Sequence, residues 1–73
     1  MKIGYFDKKM ATAQAVTLLE RSIYSLCILL DTDIESVKAS DSNPYPDTDQ
    51  RFPAYNCLKQ EIEIIERLKE NEQ

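Results

Sequence analysis

Ala11-Thr12-Ala13-Gln14-Ala15-Val16-Thr17-Leu18-Leu19-Glu20-Arg21-Ser22-Ile23-Tyr24-Ser25-Leu26-Cys27-Ile28-Leu29-Leu30 decides the fold of this chain. Val16, Leu19, Ile23, Leu26 and Leu30 recur at alternating three- and four-residue steps. That spacing keeps them on one side of a helix with about 3.6 residues per turn. Roughly 100° around the same helix a second stripe recurs at the same steps: Ala11, Ala15, Leu18, Ser22, Ser25 and Leu29. One apolar stripe requires one packing partner; two stripes require two. The stretch holds no Gly or Pro, and its Ala, Gln, Leu and Glu are strong helix formers, so a helix over 10–30 is expected.

Outward from that helix, residues 1–9 read as an extended arm, with Ile3 and Tyr5 alternating with Lys2 and Gly4. On the other side, Asp31-Thr32-Asp33-Ile34-Glu35 carries a capping-box pattern in which Thr32 accepts from the amide three residues on and Glu35 reaches back. Acidic residues suit the start of a helix and not its end. A break at Asp31–Thr32 and a short helix over 33–40 are therefore expected. Residues 41–51 form a Pro/Asp loop: Pro44 and Pro46 lack amide donors, and Asp47, Thr48 or Asp49 can cap the next helix. That last helix is expected over 52–71, with Pro53 in its first turn and an apolar seam of Tyr55, Leu58, Ile62 and Ile65.

The loop is long enough for an antiparallel return. Setting Leu30 against Tyr55 aligns Leu26 with Leu58, Ile23 with Ile62, and Leu19 with Ile65, so one register satisfies both seams. It also sets Glu20 near Glu66, a like-charge contact. The fold expected is all-α: a single domain over 1–73, built as an antiparallel helical hairpin with a short middle helix. The second stripe spans about 27 Å, too long for the Ile34–Ala39 segment to cover. A second copy of the same stripe would cover it, giving a two-fold four-helix-bundle-like dimer. Ala11, Ala15, Leu18, Ser22, Ser25 and Leu29 are the self-association residues on this reading.

Composition narrows the function. The chain has 73 residues, a size whose single core supplies only ~3–5 kcal/mol without a staple, a metal or a partner. There is no histidine, which removes the commonest general base and metal ligand. Gly4 is the single glycine, so neither a Walker loop nor a dinucleotide fingerprint can be built. No catalytic residue, cofactor or metal site is expected. Asp31-x-Asp33-x-Glu35 and Asp47-x-Asp49 resemble calcium-loop fragments, but both lack the glycine such a loop needs. Cys27 and Cys57 are expected to be reduced, mostly buried thiols. The net charge of −4 disfavours nucleic acid and anionic lipid as partners. Glu20 and Arg21 interrupt the longest apolar run, so a cytoplasmic protein is expected, without membrane contact.

What is left is binding to another protein. Tyr45, held between Pro44 and Pro46 and succeeded by Asp47, Asp49, Arg51 and Phe52, is the candidate partner-binding surface, with the acidic face of the last helix beside it. Tyr45 either projects as an anchor or folds back over the open end of the helices. The run Tyr45-Pro46-Asp47-x-Asp49 leading into an acidic helix resembles the recognition segment of bacteriocin nuclease immunity proteins, which are small acidic helical inhibitors. It lacks their second tyrosine before the proline. The leading expectation is thus a small acidic non-enzymatic interaction module, a regulator or inhibitor of phage or mobile-element type that occupies a partner's site. The alternatives are an immunity-like acidic blocker of a nuclease or nucleic-acid-binding cleft, and a small nucleic-acid-binding regulator.

Overall fold

The computed structural model describes residues 5–70, and every regular element among them is a helix: α1 (Tyr5–Leu30), α2 (Ile34–Ala39) and α3 (Arg51–Glu70). α1 and α3 pack against each other, and α2 rests on α3. The core between them is one cluster of Ile23, Leu30, Val37, Tyr55, Leu58, Ile62 and Ile65, with Val16, Leu19 and Leu26 packed at its edge. Every residue of the seam register therefore lies in or against that cluster. Leu58 is completely buried and Val37 is 1% exposed. Burying a side chain of that size is worth about 1.5–3 kcal/mol. α2 thus contributes to the core through Val37 alone.

The N-terminal arm is a correction. Residues 1–4 lie outside the described residues, but Tyr5–Lys9 are helical, not extended. Extending a helix already nucleated costs far less than starting one, and there is no glycine or proline between Gly4 and the body of α1. Asp7 in the first turn also suits the positive end of the helix dipole. At 26 residues α1 is about 39 Å long, against about 30 Å for the 20 residues of α3. Its first turns therefore extend past its partner, and the molecule measures 44 × 25 × 18 Å.

The break after Leu30 is a Schellman cap. The Thr32 amide donates to the Cys27 carbonyl at 2.9 Å and the Asp31 amide to the Ile28 carbonyl at 3.2 Å. Asp31 takes the left-handed conformation there, with φ at 52°. The next helix is capped by Asp33, whose side chain accepts from the Ser36 amide at 2.7 Å. Thr32 and Glu35 do not form the capping box: the Ser36 amide goes to the Asp33 side chain, and the Schellman turn commits the Thr32 amide that Glu35 would reach. Two polar ties hold α2 on α3: Lys38 Nζ to Glu66 Oε2 at 2.6 Å, and Lys59 Nζ to the Ser40 carbonyl at 3.0 Å. The first pairs Glu66 with a cation of α2.

Asp31 occupies a position that glycine fills without steric cost, and it places a negative charge at the negative end of α1. Asp31→Gly is expected to raise stability by about 1 kcal/mol, seen as a higher urea midpoint at unchanged slope.

Candidate functional site

The loop carrying the candidate partner-binding residues is braced from within. Asn43 donates through Nδ2 to the Phe52 carbonyl at 2.8 Å and to Asn56 Oδ1 at 3.1 Å, while its Oδ1 accepts from the Tyr45 amide at 3.0 Å. This Asx turn directs the Tyr45 ring inward. The ring meets Tyr55 edge-on, with centroids 6.1 Å apart, and its hydroxyl donates to the Leu30 carbonyl at 3.4 Å. The Arg51 guanidinium sits 4.5 Å above the ring centroid. Tyr45 is half-buried and folds back over the open end of the hairpin, bridging the last carbonyl of α1 and the first turns of α3.

Asp49 serves the same joint. It accepts from the Arg51 amide at 2.8 Å and from the Arg51 guanidinium through both carboxylate oxygens, the shortest contact being 2.7 Å. These bonds hold its pKa down to about 2, the Arg51 side chain contributing most and the backbone amide next. Phe52 is half-buried, and Asp47 is exposed. Of the loop candidates, then, Tyr45, Asp49 and Arg51 are brought together in one internal network, and Asp47 stands apart on the surface.

The candidate self-association residues lie elsewhere. Ala15 and Ser22 are half-buried along the flank of α1, whereas Ala11, Leu18, Ser25 and Leu29 are exposed. Leu18 keeps 64% and Leu29 68% of its surface in water. α2 packs on α3 and leaves those two leucines uncovered.

A third apolar strip stands out once the chain is folded. With about 100° per residue, Tyr24, Ile28 and Met10 lie 100–140° to one side of Ile23, and Leu18 and Leu29 lie 120–140° to the other. Tyr24 is 69% and Ile28 62% exposed, and Met10 is exposed as well. Directly opposite the core runs a narrow polar line of Asp7, Gln14, Arg21 and Ser25, all exposed. The signal lies in the spacing, but Thr17, Glu20 and Arg21 interleave with this strip and mask it beside the two more regular ones. The result is that the 24-residue segment Asp7–Leu30 holds an 18-residue window of mean hydropathy 1.3, long and apolar enough by length and composition to cross a membrane. That exceeds what the uncharged runs on either side of Glu20–Arg21 suggest.

The two cysteines are free. Cys27 is half-buried and Cys57 exposed on α3, where its thiol donates to Glu61 Oε2 at 3.0 Å. Cys57 is thus more open than a core thiol. That hydrogen bond and partial burial raise its pKa; burial, then the nearby Asp33 charge, raises that of Cys27. Neither thiol is activated. Among the described residues no three His, Cys, Asp or Glu side chains gather as a metal site.

No known protein family, curated protein or solved structure matches this chain.

Because the folded pKa of Asp49 lies below the ordinary carboxylate value of about 3.9, its stabilising contribution is present above about pH 4 and lost as pH falls toward 2. Asp49→Asn is expected to flatten the fall of Tm over that interval and to leave the pH 7 helix content unchanged, as measured by thermal melts monitored by circular dichroism.

Proposed function

We propose that this chain is a small, acidic, non-enzymatic protein–protein interaction module that forms a homodimer through one flank of α1 and acts by occupying a partner's site. The observation that carries the reading is the exposure of α1. Leu18, Tyr24, Ile28 and Leu29 each keep more than 60% of their surface in water, on a helix that buries only its Ile23 and Leu30 side. Apolar side chains exposed along both flanks of one helix in this way point to interaction surfaces. Ala11, Ala15, Ser22 and Ser25 alternate with Leu18 and Leu29 along the first flank, so a second copy of α1 can approach closely with its leucines set against small residues. A 73-residue chain gains much of its stability from such an association.

Three features support a cytoplasmic protein partner over a lipid one. Glu20 and Arg21 sit mid-helix, where each charge in a bilayer centre costs about 2.5–3.5 kcal/mol even on the most lenient scale. α1 is joined through its core side to α3, whose remaining surface carries Glu63, Arg67, Lys69 and Glu70 in water. Free thiols at Cys27 and Cys57 suit a reducing compartment. The immunity-like reading is weaker, because two of the carboxylates it would spend on a basic cleft, Asp49 and Glu66, are engaged by Arg51 and Lys38. Nucleic acid remains disfavoured by the −4 balance.

Sedimentation of wild type against a Ser22→Glu, Ser25→Glu variant tests the proposal. Wild type is expected to sediment as a dimer and the variant as a folded monomer of equal helix content, with dissociation shifted at least tenfold in concentration. A monomeric wild type, or a dimer indifferent to both charges, would refute it.

A further inference from the structure

On the opposite side of the hairpin from Leu18 and Leu29, three elements converge on an open groove of about 540 Å³. Its floor is Ile23 of α1 and Ile65 of α3, both nearly buried. Its walls are Tyr24 of α1 and Ile34 at the start of α2, both exposed apolar side chains. Glu20, Asp33 and Glu35 stand on the rim with one cation, Lys69. The rim is therefore net negative above an apolar floor.

We propose that this groove is a docking site for a cationic amphipathic helix of a partner protein; the inference rests on the interaction-module reading and names its partner's chemistry. Charge and shape point the same way. From Glu20 to Cys27 the α1 wall covers two helical turns, about 10 Å, which is the span read by side chains at i, i+3 or i+4, and i+7 of a bound helix. Those anchors would be apolar, to cover Ile23, Ile65 and Ile34. Lysines or arginines flanking them would face Asp33 and Glu35. Both acids lie at the α2 end of the groove, close together in sequence; Lys38, which also feels the Glu35 charge, makes its ion pair with Glu66. The negative field reaches the floor, since Asp33 contributes to raising the Cys27 thiol.

Openness favours a helix over a small amphiphile. The groove opens to solvent and meets the exposed Tyr24 ring, with Ile28 one turn along the same side of α1. A small ligand would leave that ridge wet, whereas a helix of three or more turns would lie along it. A dimer formed through the other flank would leave the groove free, so one side of the hairpin assembles the module and the other receives its target.

The test is a fluorescence anisotropy titration with a fluorescein-labelled helical peptide of about four turns, carrying a leucine ridge flanked by lysines. A second peptide carries glutamate in place of each lysine. Wild type is expected to bind the lysine peptide and discriminate against the glutamate peptide at least tenfold. Ile34→Glu, and separately Glu20→Lys with Glu35→Lys, are each expected to weaken binding at least tenfold. Gln60→Glu, an exposed position of α3 outside the groove, is expected to bind as wild type does. Circular dichroism verifies that each variant is folded; the substituted side chains are all exposed. Equal affinity for both peptides, indifference to Ile34→Glu, or loss of binding in Gln60→Glu would overturn the proposal. So would conversion of the dimer to monomer by Tyr24→Glu, which would make the groove the seat of a second copy. A wild type that dimerises through Ser22 and Ser25 but ignores the lysine peptide refutes the groove alone. A wild type that is monomeric refutes the module reading first.

Discussion

One helix of a hairpin can cover only one side of its partner, and α1 is apolar on three. That mismatch governs the rest of the molecule. α3 is amphipathic in the ordinary sense, burying Tyr55, Leu58, Ile62 and Ile65 and turning its charges to water. α1 gives that seam Ile23 and Leu30 and still carries Leu18 and Leu29 on one flank and Tyr24 and Ile28 on the other. Water keeps both flanks at a standing cost of about 25 cal/mol for each Å² of apolar surface that a partner could remove. A chain of this size has little stability to spare, so surface of that kind is expected to be used.

The short elements set which flank is left open. Once the Schellman turn ends α1, Asp33 starts α2 and Val37 enters the core over α3, with Lys38–Glu66 and Lys59–Ser40 as polar ties. α2 consequently cannot shield the leucine flank. Its first residues form one wall of the groove on the other. At the opposite edge of the core, Tyr45 closes the joint between α1 and α3 by meeting Tyr55 edge-on and reaching the Leu30 carbonyl. Of the two orientations open to Tyr45 the ring takes the folded-back one and serves as a clasp, and the Asp49–Arg51 pair holds it shut.

The helices were readable because their apolar positions recur at helical steps, and the hairpin register came from matching two seams. Helix starts were less readable. Tyr5–Lys9 carry no strong helical pattern, and they are helical because the helix beyond them is already formed. The capping pattern points to Thr32 and Glu35, and only the hydrogen bond from the Ser36 amide to Asp33 shows that Asp33 caps α2. Tyr45 was ambiguous for a similar reason: the Asx turn at Asn43 sets its direction, and composition does not reveal that turn. The groove was hidden altogether. Its residues are scattered from Glu20 to Lys69, and no local spacing brings Ile34 beside Tyr24.

The most direct check on a doubly unsatisfied α1 is side-chain accessibility, measured by NMR with a soluble paramagnetic probe on the isolated protein as concentration is raised. Leu18 and Leu29 should be as accessible as Tyr24 and Ile28 at high dilution, then lose that access together while Tyr24 and Ile28 keep theirs. If all of these side chains were shielded at every dilution, or none became shielded at any concentration, the helix would not be seeking separate neighbours on its two flanks.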